Sequence, residues 1–382
     1  MSEYQYVAFR AVDKPVSGKD LEFMHKQSTR AEVTPWSFEN EYHFGDFHGN
    51  ALEMLRRGYD LHLHYANYGV RKLCIRLPNG FTDVDATRSY LDGESIVFTK
   101  DKQGGGGILE IQPFYESDDL DELWNADEFV ERLIPLRAEI LDGDLRPLYL
   151  AHLAVCCDAN HDPDEETEGP IPAGMNELTD AQQALAEFLG IDENLILAVA
   201  QQSPPLLSRA SSQGNMKLQV DWLFKQSVTA KDAWLLRLLD GSGEEVRREI
   251  LDEIRKSLDV PGWPTIIANR TLAELHREAE SISAIEKKKK AELAARKRTE
   301  DISKMKADPN SVLRETENLV DQRSTTAYRK IAKLLADLRE ALADSKQAGL
   351  AEQQAEKLRR RNPTLRLLVS ELRKQSFLTK SK

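Results

Sequence analysis

Four of the eight histidines, His43, His48, His62 and His64, fall within twenty-two residues, and Gly45-Asp46-Phe47-His48-Gly49-Asn50 sets a carboxylate two residues before an imidazole. Imidazoles converging from adjacent strands beside a carboxylate ligate zinc or another borderline metal, and a pair of such metals activates water for hydrolysis. His62 and His64, two apart, share one face of a strand. The run before Asp46 carries Glu39, Asn40, Glu41 and His43, which no buried strand would. The competing reading is a helix entry with Gly49 and Asn50 as turn and cap. A second chemistry is electrostatic. Lys287, Lys288, Lys289, Lys290, Arg296, Lys297 and Arg298 place seven cations in twelve residues, and Arg359, Arg360 and Arg361 form a second patch with Arg366, Arg373 and Lys374. Such density neutralises phosphates and releases counterions without reading bases, and the same run also reads as a solvated helix face.

Other chemistries lack their residues. Gly104 to Gly107 are followed by Ile-Leu-Glu-Ile and not by Lys-Ser or Lys-Thr, so they read as a hairpin turn and not as a phosphate loop. No Ser, Cys or Thr sits in a nucleophile elbow, and the paired carboxylates lack apolar neighbours that would shift their titration. No catalytic residue and no cofactor is predicted. Cys74, Cys156 and Cys157 make no disulfide framework and no zinc-ligand spacing, which points to free thiols in a reducing cytoplasm. Neither a secretory signal nor an apolar run of ~20 residues is present, so no membrane partner is expected.

The elements that must position these groups follow from patterning and charge. The net charge of −12 conceals two opposed stretches: between Arg146 and Arg209 there are eleven acids and no Lys or Arg, whereas Ser281 to Lys382 holds 25 basic against 14 acidic residues. Strands are predicted at 4–12, within 31–44, and at 60–67, 72–77, 95–100 and 108–114, with helices at 17–28 and 50–57. Helices at 127–141 and 146–156 complete an α+β domain, 1–157, with a mixed, largely antiparallel sheet. An acidic, mobile loop is expected at 158–175 and a helical middle domain at 176–260. A long charged helix follows at 270–306 and a C-terminal helical bundle at 309–382. Ser17, Thr229, Ser242 and Thr271, each with an acid three residues on, mark helix starts. Tyr328, Ile331, Leu335, Leu338 and Leu342 make an apolar stripe at helical period, and the first four form a candidate partner-binding face.

Three segments carry resemblances. The Gly45 to Asn50 segment followed by an apolar helix looks like the first metal-binding segment of calcineurin-like metallophosphoesterases, and Asn160-His161-Asp162 resembles their later Asn-His segment. The bridging-aspartate and Gly-His-x-His segments of that family are absent. Residues 4–12, 34–50, 141–150 and 270–275 resemble an uncharacterised family of bacterial cytoplasmic proteins, with no known activity. The stretch from Ala327-Tyr328 through Asp337-Leu338-Arg339 to Pro363 and Leu378 resembles the helical tail of bacterial SWIM zinc-finger proteins. That resemblance implies a role in contacting nucleic acid or partner proteins, although the zinc module itself is absent here.

These observations point to a cytoplasmic, non-enzymatic accessory or adaptor protein of a larger assembly, whose basic tail meets nucleic acid or an acidic protein surface. Two alternatives stay open: a metal-dependent phosphoesterase-like hydrolase using Asp46 and His48, and a pure protein–protein scaffold. The acidic loop would be able to fold onto the basic tail as a mask.

Overall fold

The structure is a computed structural model that describes residues 3–378 except 79, 82, 116–122, 124, 157–163, 165, 207–219, 240–242, 244, 245, 247, 248, 251, 252, 255, 256 and 258–261. The chain divides into two compact units, Met1–Ser283 and Ala284–Lys382. It is an α+β protein, as the patterning predicts.

The first unit is built on a seven-stranded sheet of order β2-β3-β1-β4-β5-β7-β6, every neighbouring pair antiparallel. Its strands are β1 (Gln5–Arg10), β2 (Glu32–Val33), β3 (Ser37–Tyr42), β4 (Leu61–Ala66), β5 (Val70–Leu77), β6 (Ile96–Lys100) and β7 (Gly107–Ile111). β1 is central and buried on both faces, so its alternation sorts side chains between two cores and not between core and water. Tyr6 and Ala8 join the larger core, and Val7 and Phe9 join a smaller one with Phe38, Met54, Cys74 and Ile108. Helices α1 (Gly18–His25) and α2 (Ala51–Arg56) supply Met24, Met54 and Leu55 to that smaller core. A short α3 (Val84–Thr87) precedes the β6–β7 hairpin. In that hairpin Lys100 pairs with Gly107, and Gly104 takes φ +82°. A Cβ on Gly106 would stand 2.3 Å from the Pro78 carbonyl oxygen, so the glycines serve a tight turn and a close backbone approach.

The larger core lies under α4 (Ala126–Leu133), α5 (Pro135–Leu141), α6 (Arg146–Cys156), α7 (Asp180–Phe188) and α8 (Glu193–Gln202). The single helix expected at 127–141 is two, because Pro135 has no N–H and starts α5 at its first turn. The same core continues through Leu185, Phe188, Leu195 and Val199 to Leu275 and Ala279, so residues on both sides of 158–175 share it. The described part of the acidic stretch is tied down. β8 (Ile171–Pro172) pairs with β9 (Thr265–Ile266), and Thr167 bridges to Thr271. Glu168 is 5% exposed and accepts from Arg270 and from the Tyr149 hydroxyl, while Arg270 also meets Glu278. A carboxylate buried this deeply needs such charge-assisted partners, since desolvation alone would expel it. In α9 (Val228–Leu239), Trp234 stacks on Trp222 with centroids 5.9 Å apart.

The cap predictions divide. Thr271 and Glu274 form the expected reciprocal pair (N–H to Oε2 3.1 Å; N–H to Oγ1 3.3 Å) at the start of α10, Leu272–Ala307. Ser17 makes no capping bond to α1. Thr229 lies inside α9, whose first turn is instead held by Ser227 Oγ accepting from the Ala230 N–H at 3.2 Å. Ser242 and Glu245 lie outside the described residues.

In the second unit α11 (Pro309–Asp321), α12 (Thr325–Leu342), α13 (Leu350–Arg361) and α14 (Arg366–Lys374) form a helical bundle. Asp308 and Ser324 cap α11 and α12 by accepting from the Ser311 and Ala327 N–H groups. α14 begins at Arg366 and not at Asn362, since the residue before Pro363 is held out of helical geometry (φ −128°, ψ 62°). Among the described residues no helix is long and apolar enough to cross a membrane.

Candidate functional site

Antiparallel register decides what the histidines meet. His62 stands opposite Phe9 and His64 opposite Val7, so both point to the smaller core. The His62 ring stacks on Phe9 at 4.1 Å, and its Nδ1 lies 3.1 Å from the Ala8 carbonyl oxygen. Burial, and then the neighbouring His64, push its pKa down to about 3. Burial followed by the Lys72 ammonium takes His64 down to about 4, so both rings are neutral at physiological pH. His64 Nε2 lies 3.0 Å from Gln5 Oε1, and Gln5 Nε2 donates to Asp46 at 2.6 Å. Because the amide must donate to the carboxylate, its oxygen accepts, which assigns the proton to Nε2 of His64.

The structure therefore links Asp46 to His64 through Gln5, and Asp46 also accepts from the Tyr68 hydroxyl at 3.4 Å. It does not bring in the other two histidines. His43 is exposed beside the Tyr4 ring, 3.9 Å from Glu41, and His48 is exposed. The strand preceding Asp46 is β3, antiparallel and second from the edge, and Asn50 caps α2 by accepting from the Glu53 N–H at 3.0 Å. Among the described residues no group of three or more His, Cys, Asp or Glu is placed to hold a metal ion. Asn160-His161-Asp162 lies outside the described residues.

The two basic clusters differ in their partners. Every residue from 287 to 301 is exposed, so this part of α10 offers its whole circumference. Lys287, Lys288, Lys289, Lys290 and Lys297 make no ion pair among the described residues; Arg296 meets Glu300 at 3.3 Å and Arg298 meets Glu340 at 2.6 Å. In the bundle, Glu356 accepts from Arg359 at 2.7 Å and from Arg360 at 2.9 Å, while Arg361 lies 3.9 Å from Glu317. Those hydrogen bonds lower the Glu356 pKa, Arg359 contributing most. Three of the bundle's cations are thus already engaged by its own carboxylates.

Tyr328, Ile331, Leu335 and Leu338 are at most 3% exposed and pack with Val312, Leu319, Leu358, Leu368 and Leu372. The stripe builds the bundle's own core, which leaves those four side chains no surface for a partner.

Sequence reasoning passed over the buried ion networks of the first unit. Arg137 chelates Asp13 (3.0 and 2.6 Å), meets Asp60 at 2.9 Å and donates to the Arg76 carbonyl. Arg146 pairs with Asp144 at 2.6 Å, and Gln182 joins Asp144 to Glu139. Burial raises the Glu139 pKa, and the hydrogen bonds from Thr179 and Gln182 oppose it. These groups hold elements of the first unit together. A cleft of about 940 Å³ lies beside α7 and α8, with Leu178, Ile196 and Leu197 on its apolar wall; its Arg132 is paired with Glu187 at 2.9 Å and its Arg71 donates to the Phe188 carbonyl at 2.7 Å. On α6, His152 and Cys156 meet one turn apart, with Sγ 3.4 Å from Nε2. Comparison of the chain with protein-family models, with curated proteins and with solved structures finds no match.

Proposed function

We propose that this chain is a non-enzymatic accessory protein whose stretch 287–298 of α10 docks on a polyanion, with duplex nucleic acid as the preferred partner. One observation carries the reading: five lysines on a helix exposed around its whole circumference, none of them in an ion pair among the described residues. At 100° per residue, the cations of 287–298 fall on every side of the helix, so no single docking angle is required. Twelve residues span about 18 Å, a length over which B-form DNA presents about ten phosphate charges. The five unpaired lysines meet about half of that charge, and the gain comes from released counterions, without base readout. The stretch holds no aromatic residue on which an unpaired base would stack, which favours duplexes over single strands.

The test is a competition assay on the full chain. A short labelled duplex is bound, then challenged with single-stranded RNA and with polyglutamate, for the native chain and for the variant with Lys287, Lys288, Lys289 and Lys290 replaced by Ala. The expected result is duplex binding that the variant loses and that polyglutamate does not displace. Absence of binding at low salt, or equal binding by the variant, would remove the reading. Displacement by polyglutamate at lower concentration than by duplex would transfer it to an acidic protein surface.

A further inference from the structure

A groove of about 710 Å³ lies in the second unit, lined from α10, α12 and α14. Most of it belongs to one face of α12, where residues three and four apart in sequence come together. Ala332, Ala336 and Ala343 contribute only methyl groups to that face, so the larger side chains around them stand clear. Arg329 and Lys333 are two of these, one helical turn apart and both exposed. Arg298 of α10 and Gln375 of α14 join the lining.

The acids of the groove are answered from within, and its cations are not. Glu340 accepts from Arg298 at 2.6 Å, and Asp337 lies 3.8 Å from the same guanidinium. Glu371 is met by Lys374 at 2.6 Å. Arg339 lies over the Phe377 ring, its guanidinium carbon 4.4 Å from the centroid, and a stacked guanidinium keeps its in-plane N–H groups for an anion. Arg329, Lys333 and Arg339 make no ion pair among the described residues, so the lining holds cations with no carboxylate to match them. Side chains at i and i+4 have Cβ atoms about 5–6 Å apart, which lets Arg329 and Lys333 reach one small anion together. A phosphate group, with a charge of about −1.5 to −2 as a monoester and three acceptor oxygens, matches such a set better than a carboxylate does. Arg329 takes two of the oxygens in its planar fork, and Lys333 meets the group as a point charge.

We propose that this groove is a phosphate-binding site with Arg329 and Lys333 as its principal ligands and Arg339 as the third. Two sources share that chemistry, the backbone of a duplex held by α10 and a free polyphosphate. With the backbone as source the site rests on the polyanion reading and gives it an orientation, since the duplex then meets α12 as well as α10. With a free polyphosphate it stands apart, because Arg298 is the one groove residue that also belongs to 287–298.

The experiment titrates the full chain at low salt with inorganic tripolyphosphate, by calorimetry, and with a short labelled duplex, by anisotropy. The native chain is compared with the double variant Arg329→Gln, Lys333→Gln and with the variant that has alanine at Lys287 to Lys290. Both groove residues are exposed, so the double variant keeps the fold, and circular dichroism checks it. The expected result is that the double variant loses about tenfold or more in affinity, the worth of one or two charge-assisted hydrogen bonds. A loss for tripolyphosphate alone, retained binding by the lysine variant and no change for the duplex identify a free polyphosphate as the ligand. A loss for the duplex, with a salt slope shallower by about 1.8 for two contacts, identifies the backbone. If no protein binds duplex but the double variant loses tripolyphosphate, the polyanion reading fails and the groove site stands. Equal binding of both ligands by the native chain and the double variant would overturn the site, as would a native chain that binds neither.

Discussion

The histidines of the sheet and the lysines of α10 are both clusters of titratable residues, and the fold treats them in opposite ways. His62 and His64 are drawn under α1 and α2, lose their charge to burial and spend their nitrogens on Ala8 and Gln5. Lys287 to Lys290 stay on an exposed stretch of helix and make no ion pair among the described residues. Clustering therefore does not identify a functional site; the number of internal partners a cluster acquires separates the two cases. Arg359, Arg360 and Arg361 form an internal control, as dense in charge as the lysines but engaged by Glu356 and Glu317.

Breaking the lysine side of this contrast has the largest effect. Replacing Lys287 to Lys290 with Ala lowers duplex affinity at low salt on the order of 100-fold, because four phosphate contacts and their counterions are lost; fluorescence anisotropy checks it. The same substitution of Arg359, Arg360 and Arg361 changes affinity by about twofold or less, since those cations already spend their charge within the bundle.

Breaking the histidine side acts on stability instead of binding. His62→Ala removes the ring stacked on Phe9 and leaves the Ala8 carbonyl without that partner. It costs about 1–3 kcal/mol in urea unfolding and leaves duplex affinity unchanged. The pH dependence has a definite sign. The folded-state pKa values of His62 and His64, about 3 and about 4, lie below the ordinary value of 6.5. The unfolded chain therefore takes up protons first as pH falls. Their contribution to stability is complete above about pH 7 and declines from there toward pH 4 for His64 and pH 3 for His62, by at most about 1.4 kcal/mol per pH unit for each ring. Urea midpoints between pH 7 and pH 5 should fall accordingly, and less steeply in His64→Gln.

The control can be converted into a second free cluster. Glu356→Gln releases Arg359 and Arg360 and raises duplex affinity by about two- to fivefold, roughly the effect of one or two added phosphate contacts. The smallest effect is expected at Leu293, which is 69% exposed among the α10 cations; Leu293→Ala shifts stability by no more than about 0.5 kcal/mol. Leu335→Ala in the bundle core is the reference for comparison and costs about 2–5 kcal/mol.

Much of the fold was legible because it is set by local rules. Alternation located the strands, the glycines of the β6–β7 hairpin marked a turn, and the Thr271–Glu274 box placed the start of α10 within a residue of its observed position. The 328–342 stripe predicted a packed bundle, and the bundle buries it. The less legible features depend on partners distant in sequence. Nothing near Glu168 announces Arg270, 102 residues away, yet that pair draws part of an acidic stretch into the core. For the same reason, density alone could not distinguish the two basic clusters: Glu356 is close in sequence to its arginines, but Arg298 finds Glu340 across 42 residues. The link from Asp46 to His64 likewise runs through Gln5, a residue with no motif of its own.

The most direct test of the central claim is the slope of log affinity against log salt for duplex binding, measured on the native chain and on the Lys287 to Lys290 alanine variant. Free lysines that each neutralise a phosphate predict a steep native slope that becomes shallower by about 0.9 for every contact removed, about 3.6 for the four. Equal slopes for the two proteins, or a native slope near zero, would contradict the account and show that the exposed stretch of α10 is a solvated spacer.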